Sequence, residues 1–258
     1  MTKTKILIIS DLHVGSESGI APDEYTINDY TYDRSYNITA NKIQSALYSK
    51  WIEMVNDVGK VDYLFLLGDL ADGLNYKGQG IGITHNDLSW QEDLAIDLIK
   101  MIKVKYGNYI GVQGSAYHVG NQSGQDLRIL KSLTRDAHSK FIFGDDVTEK
   151  IDGINFHLRH ATSFSKIPEL RKNALKRDLI EFMNEGNTLG KIDIAIRAHT
   201  HYYEHLDWNP YICGFVSPCW KGRDTFIRQK SVISPDNGYV TIDINDGEFE
   251  ITPHLFKL

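Results

Sequence analysis

Five short segments carry the side chains able to bind a metal or move a proton: Asp11-Leu12-His13, Gly68-Asp69-Leu70-Ala71-Asp72, Gly114-Ser115-Ala116-Tyr117-His118, Arg159-His160 and Ala198-His199-Thr200-His201. Asp11 and His13, like His199 and His201, are two residues apart. In an extended chain such pairs share a face and reach one site or two adjacent ones. Oxygen and imidazole donors without thiolates suit hard or borderline divalent ions, namely Mn, Fe, Ni, Zn or Mg. Two such ions about 3.5 to 4 Å apart clamp a phosphoryl group and generate hydroxide at neutral pH. A carboxylate shared between the ions is needed, and Asp69, on a glycine-flanked turn, is the best-placed candidate.

Taken singly, each segment has a blander reading. A lone DxH is more often a helix cap beside a surface histidine, GDxxD a turn, HxH structural, and His118 a surface residue. Their placement shifts the balance. Apolar runs at residues 6–9, 63–67, 109–112 and 192–196 are short and nearly continuous, as in strands buried on both faces, and residues 154–158 add another strand. Each segment follows one of these runs. Ligands of open α/β sheets sit beyond the carboxyl ends of the strands, so the five segments can converge on one place. His85, His138, His157, His205 and His254 fall outside this pattern and are read as structural or surface residues. His157, three residues before His160, would point away from it on a strand.

The elements that hold these segments can be read from periodicity. Ile43, Leu47, Met54 and Val58 recur at helical spacing and Gly59 follows as a stop. A second helix is expected from a capping box at Thr84, with Leu88, Leu94, Leu98 and Ile102 along one face. Leu127, Leu130 and Ala137 suggest a third; Pro168 and Gly186 bracket a fourth, with Leu170, Ala174 and Phe182 inward. After His201, alternating strands at residues 212–216, 239–244 and 248–252, the last two joined by Asn245-Asp246-Gly247, predict an antiparallel hairpin. No repeat or linker divides residues 1–258, which are read as one domain. Residues 14–37 are expected to be a long loop starting at the metal site. Its Tyr25, Tyr30, Tyr32 and Tyr36 offer faces for stacking on bases, and Asp23, Glu24, Asp29 and Asp33 would repel long polyanions.

Composition narrows the function. With 41% hydrophobic and 24% charged residues, the chain is neither disordered nor fibrous. Its formal charge of −6 gives no global attraction for polyanions or anionic lipid, so any phosphate must be bound at a local site. Cys213 and Cys219 are too few for a disulfide framework and lack zinc-ribbon spacing, which favours a reducing compartment. The apolar run before Ser10 is too short for a signal peptide, and no run reaches membrane-spanning length. A cytoplasmic protein without a membrane partner is expected, and the sequons at Asn37 and Asn121 are then chance matches.

In their order, DLH, GDLAD, GSAYH, RHA and AHTH resemble the five blocks of the calcineurin-like metallophosphoesterase family, usually DxH, GDxxD, GNH, a His-Gly turn and GHTH, over residues 6–201. The tail VSPCWKG and the hairpin GYVTIDINDG also resemble phage-encoded members. The resemblance implies an α/β fold, a four-layer α/β/β/α sandwich of two mixed sheets flanked by helices, with two divalent metal ions as cofactors. It implies that Asp11, His13, Asp69 and His201 hold the first ion and that Asp69, His160 and His199 hold the second. His118 would protonate the leaving group and Asp72 would orient it. The implied activity is hydrolysis of a phosphoester substrate by a bridging hydroxide, with a phosphodiester of a nucleotide or nucleic acid favoured and Mn2+ serving best in vitro. The alternatives are a phosphomonoesterase or protein phosphatase, and a non-catalytic metal-binding scaffold. Two departures stand out: Ala198 replaces a glycine, and Ser115 stands where an Asn ligand is expected, with His118 three residues later. The second ion should therefore bind more weakly than the first. Arg159 and Arg197 read either as phosphate binders or as members of structural ion pairs.

Overall fold

Alternate residues of the first strand, β1 (Lys3–Ile9), enter two different cores, and this sorts the molecule into layers. Leu7 and Ile9 join a cluster with Leu47, Trp51 and Leu98, whereas Ile6 and Ile8 join one with Phe65, Phe156 and Val240. The computed structural model describes residues 3–29, 33–74, 80–115, 124–135, 139–163, 165, 167–185, 191–209, 212–223 and 234–258. In chain order the remaining elements are β2 (Glu24–Asp29), β3 (Arg34–Thr39), α1 (Lys42–Val58), β4 (Lys60–Val61), β5 (Tyr63–Leu66), α2 (Leu88–Lys100), β6 (Lys103–Val104), β7 (Asn108–Val112) and α3 (Gln125–Leu133). They continue with β8 (Lys140–Gly144), β9 (Asp146–Ile151), β10 (Ile154–Arg159), α4 (Arg171–Glu185), β11 (Ile194–Arg197), β12 (Glu204–Asn209), β13 (Ile212–Val216), β14 (Asn237–Asn245) and β15 (Glu248–Phe256).

One sheet has the order β15-β14-β1-β5-β7-β8 and the other β12-β13-β11-β10-β9. β1, β5, β7 and β8 run parallel, as do β10, β11 and β13, while β14, β15, β9 and β12 pair antiparallel to their neighbours. Phe156, Leu158, Ile194, Ile196 and Phe215 of the second sheet meet Ile6, Ile8, Phe65 and Ile242 of the first. The outer face of the first sheet is covered by α1, α2 and α3 through Trp51, Leu98 and Leu130. Leu175 and Leu179 of α4 cover Ala195 and Val216 on the outer face of the second. The four-layer sandwich of two mixed sheets is thus observed. Strands buried on both faces explain the continuous apolar runs, each such Ile or Leu contributing roughly 1.5–3 kcal/mol.

Three local expectations change. Residues 14–37 are not a plain loop, because β2 and β3 pair antiparallel within them, Tyr25 opposite Ile38 and Ile27 opposite Tyr36. Tyr25 stacks on Trp90 with centroids 5.2 Å apart, so that ring already has an aromatic partner. α2 is capped by Asp87, whose side chain accepts from Ser89 N and Trp90 N; the Thr84 amide is instead spent on Gly15 O at 2.7 Å. Leu170 lies in the 3-10 turn Pro168–Leu170 and is exposed, while Ala174 is buried as expected. Ala137, Gly186 and the Phe182 side chain lie outside the described residues. Both cysteines are buried free thiols. Among the described residues, no helix is long and apolar enough to cross a membrane.

Candidate metal centre

Parallel neighbours end on the same edge of a sheet, so β1, β5 and β7 deliver their following segments side by side, and β10 and β11 do the same from the second sheet. The segments are then stitched together. Asp11 N donates to Gly68 O (3.1 Å), His13 N to Asp69 O (3.0 Å), Asp72 N to Val14 O (2.8 Å) and Ala198 N to His160 O (3.0 Å). Gly68, at φ +84°, is required here because an added Cβ would lie 2.5 Å from Gly114 N. Nine described non-glycine residues have positive φ, and Asp11, His13, Asp69, His199 and His201 are five of them. Left-handed backbone costs such residues about 1–2 kcal/mol each, so the surrounding packing is holding these five side chains against a local preference.

Two ligand groups result, Asp11 with His13 and His201, and Asp69 with His160 and His199. In the first, His13 Nε2 lies 3.1 Å from His201 Nε2, and Asp11 Oδ1 lies 3.3 Å from His201 Nε2 and 3.7 Å from His13 Nε2. His13 Nδ1 is 2.9 Å from Asp72 Oδ1. A carboxylate only accepts, so Nδ1 carries the proton and the Nε2 lone pair faces the group. In the second, His160 Nε2 lies 3.1 Å from Asp69 Oδ2 and 3.2 Å from His199 Nδ1, while His160 Nδ1 donates to Leu67 O at 2.5 Å. Asp11, His13, Asp69 and His160 are buried; His199 is exposed and marks the side open to solvent.

The donor sets fit divalent cations. Asp11 Oδ1 is buried and accepts no hydrogen bond, although Ser10 Oγ and His199 N donate to the other oxygen. Burial works against the Asp11 charge, but the imidazoles of His13 and His201 beside it outweigh that penalty and hold the carboxyl well below its usual range. Burial likewise opposes a charged His160, yet Asp69 overrides it and lifts the imidazole to about 10. His201, where burial dominates, is pushed down to about 4. Buried carboxylates are therefore drawing positive charge into a place where imidazole lone pairs also point.

Ser115 and Asp72 take positions that the motif pattern alone did not specify. Ser115 donates to Asp69 Oδ1 through its amide at 2.8 Å, and its hydroxyl lies 3.2 and 3.1 Å from the two carboxylate oxygens. Asp72 receives His13 and also Lys221 Nζ at 3.2 Å. The expected pairing of Asp72 with His118 lies outside the described residues, as does Asn121. Lys221 is buried and arrives with Trp220, whose amide donates to Asp11 O at 3.1 Å and whose ring meets Trp51 edge-on at 4.8 Å. A lysine on a distant tail gives no sequence signal for this contact.

Asp126, in the first turn of α3, was also missed; an acidic residue there reads as ordinary dipole compensation. It is buried and accepts from Leu70 N (3.1 Å), Asp69 N (3.3 Å) and Gly114 N (2.8 Å), tying the Asp69 turn and the Gly114-Ser115 turn beside it to one helix. Burial and then the Asp69 charge push its carboxyl up to about 6, so it is mainly ionised at neutral pH and matches three donors. Asp126→Asn places an amide NH2 against at least one backbone N–H and is expected to lower divalent-metal affinity roughly 10–100-fold with the fold retained. Calorimetric metal titration beside circular dichroism checks this, and unchanged affinity would show that the tie is dispensable.

The arginines resolve as structural pairs. Arg197 is fully buried and its Nε donates to Asp178 Oδ2 at 2.6 Å; Arg159 pairs with Asp146. Asp178→Ala strands a buried guanidinium and should cost about 3–5 kcal/mol in denaturant unfolding. A loss below about 1 kcal/mol, the surface-pair range, would contradict a structural role. His157, buried against Asp146 and held near 4 mainly by desolvation, faces away from the centre as its odd spacing predicted.

No protein-family model matches the chain, and no curated protein matches it. Among solved structures, an archaeal phosphodiesterase superposes with a TM-score of 0.51 at 15% identity, covering 97% of this chain and 100% of its own. A predicted phosphoesterase from Streptococcus pneumoniae matches at TM-score 0.42 and 12% identity over 99% of this chain and 91% of its own. Zn2+-complexed Vps29 from Entamoeba histolytica matches at 0.45 and 14% over 98% and 100%. The first of these likenesses shows the fold alone, a sandwich of two mixed sheets shared with that archaeal protein.

Proposed function

We propose that this chain is a metal-dependent phosphoesterase that hydrolyses phosphodiesters in preference to monoesters with two divalent ions. The observation that carries the reading is the pair of imidazole–carboxylate groups at adjoining strand ends, with Asp11 Oδ1 buried and unbonded between two imidazoles. Asp11, His13 and His201 would hold one ion and His160 and His199 the other, Asp69 being shared. Bound there, such ions lower the pKa of water and neutralise phosphoryl oxygens. Asp72 and Leu67 O accept hydrogen bonds from Nδ1 of His13 and His160 and so turn both Nε2 atoms toward the site; the His13 lone pair is ready there, and His160 would release its Nε2 proton as an ion binds. Ser115 and Asp126 fix the Asp69 carboxylate and its turn. His118 is proposed as the acid that protonates the leaving group.

Two points support a diester. Arg159, Arg197 and Lys221 are engaged by Asp146, Asp178 and Asp72, which leaves them poorly suited to a second phosphate charge. The solved structure with the same fold and the TM-score of 0.51 is a phosphodiesterase. With Mn2+ present, turnover of bis-p-nitrophenyl phosphate is expected to exceed that of p-nitrophenyl phosphate by roughly tenfold, about 1.4 kcal/mol of transition-state binding. The opposite order would identify a monoesterase. Metal binding without hydrolysis of either would identify a scaffold.

A further inference from the structure

Three donors of different chemistry meet at the edge of the second sheet, where β12 has a single neighbour. His205 and Asp207 stand two apart on β12, and Asp207 lies opposite Cys213 of β13 while His205 lies opposite Phe215. Cys213 and Phe215 face the core between the sheets, so all three donors leave from one face. Their ligand atoms lie within 4.8 Å of one another. His205 Nε2 is 3.4 Å from Asp207 Oδ1 yet forms no hydrogen bond, although the atom is buried. The strand register shifts between Asp207 and Asn209, a local irregularity of the kind that re-aims side chains at functional sites.

We propose that His205, Asp207 and Cys213 form a separate cation site for a borderline divalent ion of the Zn2+ type. Imidazole, carboxylate and thiolate together match such an ion, with the fourth tetrahedral position left to water; Mg2+ and Mn2+ disfavour sulfur. The donors are graded in depth: Cys213 is buried, His205 half-buried and Asp207 exposed, so an ion arriving from solvent meets the carboxylate first and the sulfur last. Burial, then the Asp207 charge, pushes the Cys213 thiol up to about 12, which leaves it protonated and unreactive without an ion. As the metal–sulfur bond forms, the thiol proton passes to solvent and nothing is oxidised or reduced. Occupation would clamp the edge strand that begins three residues after His201.

Co2+ titration of the metal-free chain tests this, because a sulfur-to-cobalt charge-transfer band in the near ultraviolet requires a thiolate ligand. The phosphoesterase centre contains none. The band should saturate at the amplitude of one thiolate-bound Co2+ per chain, whatever Co2+ the phosphoesterase centre takes up beside it, disappear in Cys213→Ser, need at least tenfold more Co2+ in His205→Ala, persist in Cys219→Ser and Asp69→Asn, and be bleached by Zn2+. No band in the wild-type chain, or a band surviving Cys213→Ser, overturns the proposal. If Cys213→Ser fails to fold by circular dichroism, the wild-type spectrum and half-buried His205→Ala decide it, and an unshifted titration in His205→Ala is a refutation. Absent hydrolysis under every metal condition would defeat the phosphoesterase reading and leave this band unaffected.

Discussion

Asp69→Asn is expected to lower kcat/KM for a diester by on the order of a thousandfold, about 4 kcal/mol of transition-state stabilisation, more than loss of any single histidine. Asp69 Oδ2 is 3.1 Å from His160 Nε2 and 4.0 Å from His199 Nδ1, and its backbone carbonyl receives His13 N, so it stands where the two ligand groups are joined. The amide keeps the shape and the backbone bonds of the turn while removing the charge. It also confronts the Ser115 amide and hydroxyl, both of which donate to the carboxylate. Each imidazole, by contrast, serves one group. Steady-state kinetics with metal content measured on the same sample separate lost chemistry from lost metal. Near-normal turnover in the variant would remove Asp69 as a shared ligand and the two-ion assignment with it.

Chelation is the second large effect. EDTA followed by desalting should reduce hydrolysis to the uncatalysed level, and divalent ions should restore it, Mn2+ giving the highest rate. The histidines and carboxylates that remain cannot replace the ions: His160 is held protonated by Asp69, and His13 donates to Asp72. Removal should nonetheless leave the fold intact, because the turns are tied by backbone hydrogen bonds and by Asp126. Ions at 100 times their Kd should add about 2.7 kcal/mol of stability, a rise readable by calorimetry. Full hydrolysis by the metal-free chain would sink the proposed function. Because Ser115 bonds to Asp69, the second group offers Asp69, His160 and His199, and its ion is expected to fill after the first.

What the sequence determined by itself is a set of strands buried on both faces and the places where chemistry-bearing turns can occur, the four-layer sandwich being what the family resemblance implied. Strands covered on both faces must be apolar throughout, so β1, β5, β7 and β11 stand out in one dimension, and Asp11, Asp69 and His199 can be seen to follow them. Local pairing was less legible. Tyr25, Ile27, Tyr36 and Ile38 alternate as a hairpin requires, but the Asp, Asn and Ser between them carry an equally strong loop signal, and only the cross-strand register and the Tyr25–Trp90 contact settle it. The start of α2 was decided by competition: once Gly15 O takes the Thr84 amide, Asp87 is left to cap the helix. Tertiary structure alone decided which donors meet and in which protonation state. Asp126 is 57 residues from Asp69 and Lys221 149 from Asp72, and neither contact leaves a periodic trace. The same holds for His205, Asp207 and Cys213, which read singly as surface or core residues and form a group only through the β12–β13 register. Periodicity records which face of an element is buried. Which buried faces then touch depends on how the sheets stack, a property no local stretch of chain encodes.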